Sequence, residues 1–394
     1  MTKKTNNNSL RLLVSNSLFR GWKLIFKIFL NIYLWKETHN LQLLALFNIV
    51  FLIAHIFWFI VTSFYVKLWY RKIINTISYF WVILCYLLVI IFLEHIINNI
   101  YFIWILFWLF NGSYYVNYNV NQFDLTTFKN RWNFEWIKKV LITTSKIIFP
   151  WIIWAIIWFY NIKLAFLFWI LIYIISYFIW NIQIIHKKWK INFKDFLAKI
   201  IKNKKIVYSL IWSFFFTLSF SLMLLDLLIP LLIFDELGTE IKLWFSLSFL
   251  SVLSIVIIYL FWRFIDYKHY NKFLIIFTIL YIAWLFWITT FDSYSYLLLF
   301  STIILSVISL YELGISVITN NSLHTLKEYN NYKVEFLVFK DLAYILWWIT
   351  SFLLMYFSTD LAKTSIWFIF YSLMFFSVVT TLFFLKINMH EIEE

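Results

Sequence analysis

Asn16, Arg20, Lys23, Lys27 and Asn31 follow one another at intervals of four, three, four and four residues through an otherwise apolar stretch. At 3.6 residues per turn they share one helical face. Cations on one stripe at membrane depth must meet water, protein or an anionic solute. For Arg20 a second reading is open, in which the helix enters the membrane later and the guanidinium snorkels to the surface. The other ionisable residues inside apolar runs are Lys146, Asp226 and Glu312. Lys146 lies between Thr143 and Pro150, and Asp226 stands four residues before Pro230. Glu312 shares helical spacing with Ser306, Ser309 and Ser316, while Asn111, Tyr115, Tyr118 and Gln122 share a face of their own. The cations lie in the first half of the chain and the two anions in the second. Two pairings across the halves are expected: Asp226 with Lys27, and Glu312 with Arg20 or Lys23. Such pairs either break as the halves move or hold them together permanently. The excess of positive charge favours an anionic solute. Asp226 and Glu312 are the acidic candidates for proton coupling, and His55 reads as structural.

These residues sit in a chain that is 63% hydrophobic with a mean hydropathy of +0.83. A soluble core cannot absorb that much apolar surface, so runs of about 20 apolar residues read as membrane spans. Twelve runs fit, at about 12–34, 41–65, 74–93, 99–121, 139–160, 162–185, 207–234, 241–264, 271–291, 295–319, 336–358 and 364–386. The fold class expected is an all-α membrane protein of twelve transmembrane helices. With 4 Gly and 2 Pro in 394 residues, little interrupts the helices. The 24% aromatic content reads as filler for lipid-facing positions, and aromatic residues near span ends mark the membrane interface.

Placed on this map, 25 of the 33 Lys and Arg fall on one side, four on the other and four within spans. The positive-inside bias puts both termini and the long central loop in the cytoplasm, with the chain in the cell (inner) membrane. The start, Met1 to Ser9, has no cleavage signature, so the first span itself is expected to direct insertion. The charge of +14 is thereby explained without nucleic acid. Residues 1–185 form a first six-helix half, 186–206 a basic linker and 207–394 a second half. In the linker, Phe193, Phe196, Leu197, Ile200 and Ile201 recur at helical spacing between lysines. Either this is an amphipathic helix touching anionic inner-leaflet lipid, or a topogenic basic loop.

The halves echo one another. Gly112, Asn119 and Gln122 in the fourth span have the internal spacing of Gly314, Asn321 and His324 in the tenth. Two six-helix halves and a long middle loop resemble the major facilitator superfamily. Its signature loop between spans 2 and 3 corresponds to Ser63-Phe64-Tyr65-Val66-Lys67-Leu68-Trp69-Tyr70-Arg71-Lys72. The basic pair is kept, while the signature's glycines and aspartate are absent. Asp266, followed by Lys268, stands at the equivalent place in the second half. Phe123-Asp124-Leu125-Thr126-Thr127 with Asn130-Arg131 is similar to a loop of one bacterial branch. The resemblance implies gating loops at Lys67, Arg71, Lys72, Asp124, Arg131, Asp266 and Lys268. It also implies a central cavity lined by spans 1, 4, 7 and 10 with help from span 5. That cavity would take Arg20, Lys23, Lys27, Asn31, Asn111, Tyr115, Tyr118, Lys146, Asp226 and Glu312.

Several chemistries are excluded. Four scattered glycines cannot build a phosphate-binding loop, and His390-Glu391 lacks the second histidine of a zinc protease helix. The single cysteine, Cys85, supports neither a disulfide nor a thiolate metal site. The loops are too short for a catalytic domain, and Lys36 to Asn40 lacks the paired acids of a membrane glycosyltransferase. The expectation is a monomeric secondary transporter, not an enzyme, without cofactor or metal. It would move a small polar, possibly anionic, solute by alternating access. Export of amphipathic drugs or lipids, and a scaffold or sensor retaining the fold, are the alternatives.

Overall fold

The computed structural model of the chain describes residues 2–67, 71–92, 96–127, 130–180, 192–220, 222–264, 270–290, 294–326, 329–357 and 363–385. Among them the regular structure is helical throughout. The first group is α1 (Thr2–Thr38), α2 (Leu41–Lys67), α3 (Arg71–Ile91), α4 (Ile96–Leu125), α5 (Arg131–Phe159) and α6 (Ile162–Ile179). A short α7 (Phe193–Lys202) follows. The second group is α8 (Lys204–Phe220), α9 (Leu222–Leu237), α10 (Glu240–Phe264), α11 (Tyr270–Thr290), α12 (Tyr294–Ser322), α13 (Lys333–Tyr356) and α14 (Lys363–Leu385). Short 3-10 turns at Leu323–Thr325 and Tyr329–Tyr332 join α12 to α13. The long helices follow the expected spans in order, with α8 and α9 together in the seventh place. Among the described residues, Leu41–Val66, Arg71–Ile91, Lys242–Phe261 and Lys333–Tyr356 are long and apolar enough to cross a bilayer by length and composition.

The many asparagines have local work. A helix start leaves backbone N–H groups without partners, and an Asn side chain can accept from one of them. Asn40, Asn161, Asn192 and Asn203 do this for Leu43, Leu164, Asp195 and Ile206 at 3.0, 2.8, 3.0 and 3.3 Å. At the other end of α9, Gly238 adopts φ +67°, and its N–H closes onto Phe234 O at 2.8 Å. Only glycine takes that left-handed cap without strain.

The two groups pack alike. In the first, α1 contacts α5 and α6, α2 contacts α4, and α3 contacts α4 and α6. In the second, α8 contacts α13 and α14, α10 contacts α12, and α11 contacts α12 and α14. Where the groups meet, α2 runs along α13 and α5 along α10, with α1 meeting α9 and α4 and α5 meeting α13 and α12. Lipid tails are as apolar as leucine, so helices need small residues and hydroxyls to recognise one another. Gly112 presses α4 onto α2, where an added Cβ would lie 3.1 Å from His55 O and Phe59 N. Ser15 joins α1 to Ser176 of α6 at 2.9 Å, and Ser17 reaches Ser145 of α5 at 2.6 Å. Ser209 with Ser322 and Thr278 with Thr381, each at 2.7 Å, do the same in the second group. Large apolar side chains such as Phe57, Phe80, Phe178 and Phe245 point outward, where a bilayer would receive them.

Candidate functional site

The expected polar face of α1 meets α4 near the middle of the first group. The Arg20 guanidinium lies over the rings of Tyr115 and Tyr118, 4.7 and 5.4 Å from their centroids. A guanidinium against aromatic faces keeps its charge while partly desolvated. Among the described residues, Arg20 Nε, both amide atoms of Asn111, the Tyr118 hydroxyl and Asn16 Nδ2 have no hydrogen-bond partner. Buried polar groups are normally satisfied, so unsatisfied ones clustered on two facing helices mark a place able to receive a polar solute. On the far side Phe19 stacks on Tyr114 at 3.5 Å, which fixes the rotation of α1 about its axis.

Not every expected cavity residue turns that way. Asn31 is buried and accepts from Asn48 Nδ2 of α2 at 3.1 Å, an interhelical contact. Glu312 of α12 forms its ion pair with Lys139 of α5, not with Arg20, whose charge it feels without contact. The side chains of Lys23, Lys27, Lys146 and Asp226 lie outside the described residues, although their backbones belong to α1, α5 and α9. The Lys27–Asp226 pairing therefore lies there too.

A second cluster occupies the end of the bundle where α4 stops and α5 begins. Here the two sequence stretches singled out as gating loops converge. Arg71 Nη1 donates to Asp124 at 2.6 Å, and Lys333 at the start of α13 donates to the same carboxylate at 2.8 Å. Asn117 Nδ2 meets the Arg71 carbonyl at 3.1 Å. Arg131, read from sequence as a loop residue, is the first residue of α5 and is 1% exposed. It reaches Thr126 at 3.2 Å, Asn321 at 2.7 Å and His324 at 3.2 Å, with Phe123 beneath it at 4.8 Å. Burial, with Arg131 and Lys333 nearby, lowers the His324 imidazole to about 4. Its neutral ring lets Nε2 accept from the guanidinium. Lys72 is exposed, the Lys67 side chain is not among those described, and Asp266 and Lys268 lie outside the described residues.

Lys138, Lys139 and Lys340 stand at the edges of the expected spans 139–160 and 336–358, where charge would mark the loop boundary. Instead, α5 begins eight residues before its expected span and α13 three before. Lys139 and Lys340 meet partners on α12, and Lys138 pairs with Glu135 one turn back on α5 itself. Glu135, 2% exposed, accepts from Lys138, from Gln122 of α4 and from Ser316 of α12, the last at 3.1 Å. Lys340 donates to Asn320 at 2.9 Å. Asp341 accepts from Asn119 of α4 at 3.1 Å. Sequence reasoning passed over Glu135, Lys340 and Asp341. Two signals pointed to them. Arg131, Glu135, Lys138 and Lys139 have helical spacing, and the 202-residue offset of Asn119 from Asn321 also relates Lys138 to Lys340 and Lys139 to Asp341.

The linker helix forms as its periodicity predicts, and its apolar face divides. Phe196 and Ile200 are buried, Phe196 stacked on Tyr332 at 5.7 Å, whereas Leu197 and Ile201 stay exposed. Lys199 donates to Tyr332 at 2.6 Å, and the Tyr332 hydroxyl donates to Asp195. That hydroxyl is the main cause holding the Asp195 carboxyl below its ordinary range.

No known family profile matches the sequence, and no curated protein matches it. Solved structures do match. A bacterial homologue of the iron transporter ferroportin, outward-facing, is 13% identical with a TM-score of 0.66, over 98% of this chain and 99% of that one. The nucleoside transporter NupG is 14% identical with a TM-score of 0.66, over 98% and 100%. The xylose transporter XylE from E. coli, partially occluded and inward-open, is 11% identical with a TM-score of 0.68, over 98% and 99%. Identities this low carry the fold alone, and that fold is the one this chain shares with these solved transporters.

Proposed function

We propose that the chain is a secondary transporter that moves a small polar anion by alternating access, with Arg20 as its anchor. One observation carries this reading. Among the described residues, Arg20 is half-buried against Tyr115 and Tyr118 of α4, touches no carboxylate and keeps Nε unpartnered, and the unsatisfied Asn111 amide stands one turn from Tyr115 on that helix. Glu135 and Glu312 are already taken by Lys138 and Lys139. A carboxylate, sulfate or phosphate group would satisfy the guanidinium's donors and the nearby amide together. The contacts of Arg131, Lys139, Asn119 and Asp124 would hold one end closed and part when the groups rock. A human organic anion transporter, MFSD10, is 11% identical with a TM-score of 0.60 over 97% of this chain, which accords with an anionic solute. The charge bias argues for the inner membrane with both termini cytoplasmic, and the chain is taken as a monomer. There the exposed Leu197 and Ile201 of α7 would lie against anionic lipid, and no nucleic acid takes part.

The test is thermal stabilisation of the purified protein by a panel of anionic, neutral and cationic solutes, repeated with Arg20→Gln. A solute at 100 times its Kd adds about 2.7 kcal/mol to stability. Stabilisation by anions that vanishes in Arg20→Gln, with uptake of the same anion into proteoliposomes, is the expected result. Stabilisation by lipophilic cations indifferent to Arg20 would replace this reading with export of amphipathic compounds. Ligand binding without uptake would favour a sensor.

A further inference from the structure

Of the three carboxylates Glu135, Glu312 and Asp341, which stand where α4, α5, α12 and α13 meet, Asp341 has no cation in contact among the described residues. Glu135 is held by Lys138 and Glu312 by Lys139. Asp341 accepts one hydrogen bond, from the neutral amide of Asn119 on the opposite group, and is partly exposed. The charges acting on it are Lys340 beside it on α13 and Arg20 from α1. From α4 it also faces Tyr115. Tyr344, one turn along α13, is the other titratable group within its reach, and α8 offers that phenol the Ser213 hydroxyl. The titratable group that α2 brings to this region, His55, turns to Phe59 and Tyr115. From α9, the Asp226 side chain lies outside the described residues. Tyr332, at the turn before α13, is engaged with Asp195 and Lys199.

We propose that Asp341 takes up a proton when an anion binds at Arg20, so that one proton accompanies each anion. The inference rests on the anionic reading of the Arg20 site. The ionised Asp341 is balanced by Arg20 and Lys340. An anion on the guanidinium screens the first of these and adds a like charge nearby, and both effects favour the neutral acid. The proton comes from solvent and adds to a carboxylate oxygen, and no covalent bond to the anion forms. Glu135 and Glu312 cannot respond in this way, because protonating either strands a lysine. By linkage the effect is reciprocal, so a protonated Asp341 must raise affinity for the anion. The Asn119 contact carries the same event to the junction, since a neutral acid accepts more weakly than a carboxylate.

The experiment is isothermal titration of the full chain in nanodiscs with sulfate, gluconate and methanesulfonate, which keep a constant charge over about pH 5–8. Affinity is expected to rise as pH falls, approaching about tenfold per unit, the slope for one proton taken up. The binding heat should vary with the ionisation enthalpy of the buffer by the same one proton. Asp341→Asn, which keeps the shape and the Asn119 contact, should bind the anion with a flat pH profile. Asp341→Glu should restore the slope and show that the carboxyl is responsible. An equal slope in wild type and Asp341→Asn, or flat binding without proton uptake in the wild type, overturns the coupling and leaves the anion site standing. If none of the three probes binds the wild type, the anionic reading fails and takes the coupling with it.

Discussion

Replacing Asn321 by alanine removes one carboxamide from the junction of the two groups. In the closed end, Asn321 Oδ1 accepts from Arg131 Nη1 at 2.7 Å, and both residues are buried. A hydrogen bond to a charged group contributes about 1.5–3 kcal/mol when its loss leaves the charge unsatisfied. In the open end the guanidinium meets water, so the same substitution has little effect there. The difference falls on the closing equilibrium as a shift of about 10- to 150-fold. A closed-to-open ratio of roughly 99:1 would drop to between about 8:1 and 1:2. Nitroxides at Lys72→Cys and Lys204→Cys, two exposed positions at this end, would report the distance by pulsed electron resonance. The native Cys85 is buried, which favours selective labelling. The Asn321→Ala variant should gain a longer-distance population while its thermal midpoint changes little. An unchanged distance distribution in a well-folded variant would refute the claim that this bond helps hold the end shut.

Two other outcomes are expected. Gly112→Val should destabilise the fold by about 1–3 kcal/mol, because the new methyls meet the backbone of His55 and Phe59 on α2, which cannot rotate away. Thermal unfolding of the purified variant measures this, and a wild-type midpoint would show that α2 and α4 separate freely. Acid should loosen the α12–α13 turn. His324 has a folded value of about 4 against an ordinary 6.5, so the released ring binds the proton that the packed ring refuses. The contact is complete above about pH 6.5 and is lost as pH falls toward 4. Solvent screening at this partly exposed ring trims the effect to about 1 kcal/mol. Hydrogen exchange over residues 323–332 should quicken across that window in wild type and not in His324→Gln.

Much of this protein is legible in one dimension. Hydropathy and lysine asymmetry need only local composition, because a bilayer demands about the same apolar length from every helix. The face shared by Asn16, Arg20 and Asn31 follows from helical periodicity, and the 202-residue echo of Gly112 and Asn119 follows from duplication of one packing pattern. What the sequence could not disclose is where a helix ends when its terminal charges are satisfied from elsewhere. Lys138, Lys139 and Lys340 read as cations at the loop boundary, since a charge beside an apolar run ordinarily stops a span. Lys139 and Lys340 belong to α5 and α13 because Glu312 and Asn320 of α12 meet them there, while Lys138 pairs with Glu135 within α5. The same holds for Arg71 and Asp124, 53 residues apart, and for Asn119 and Asp341, 222 apart. Periodicity decides which face a residue occupies. Only the packing of helix on helix decides which charge it meets, because Coulomb attraction and hydrogen bonding depend on distance through space and not on separation along the chain.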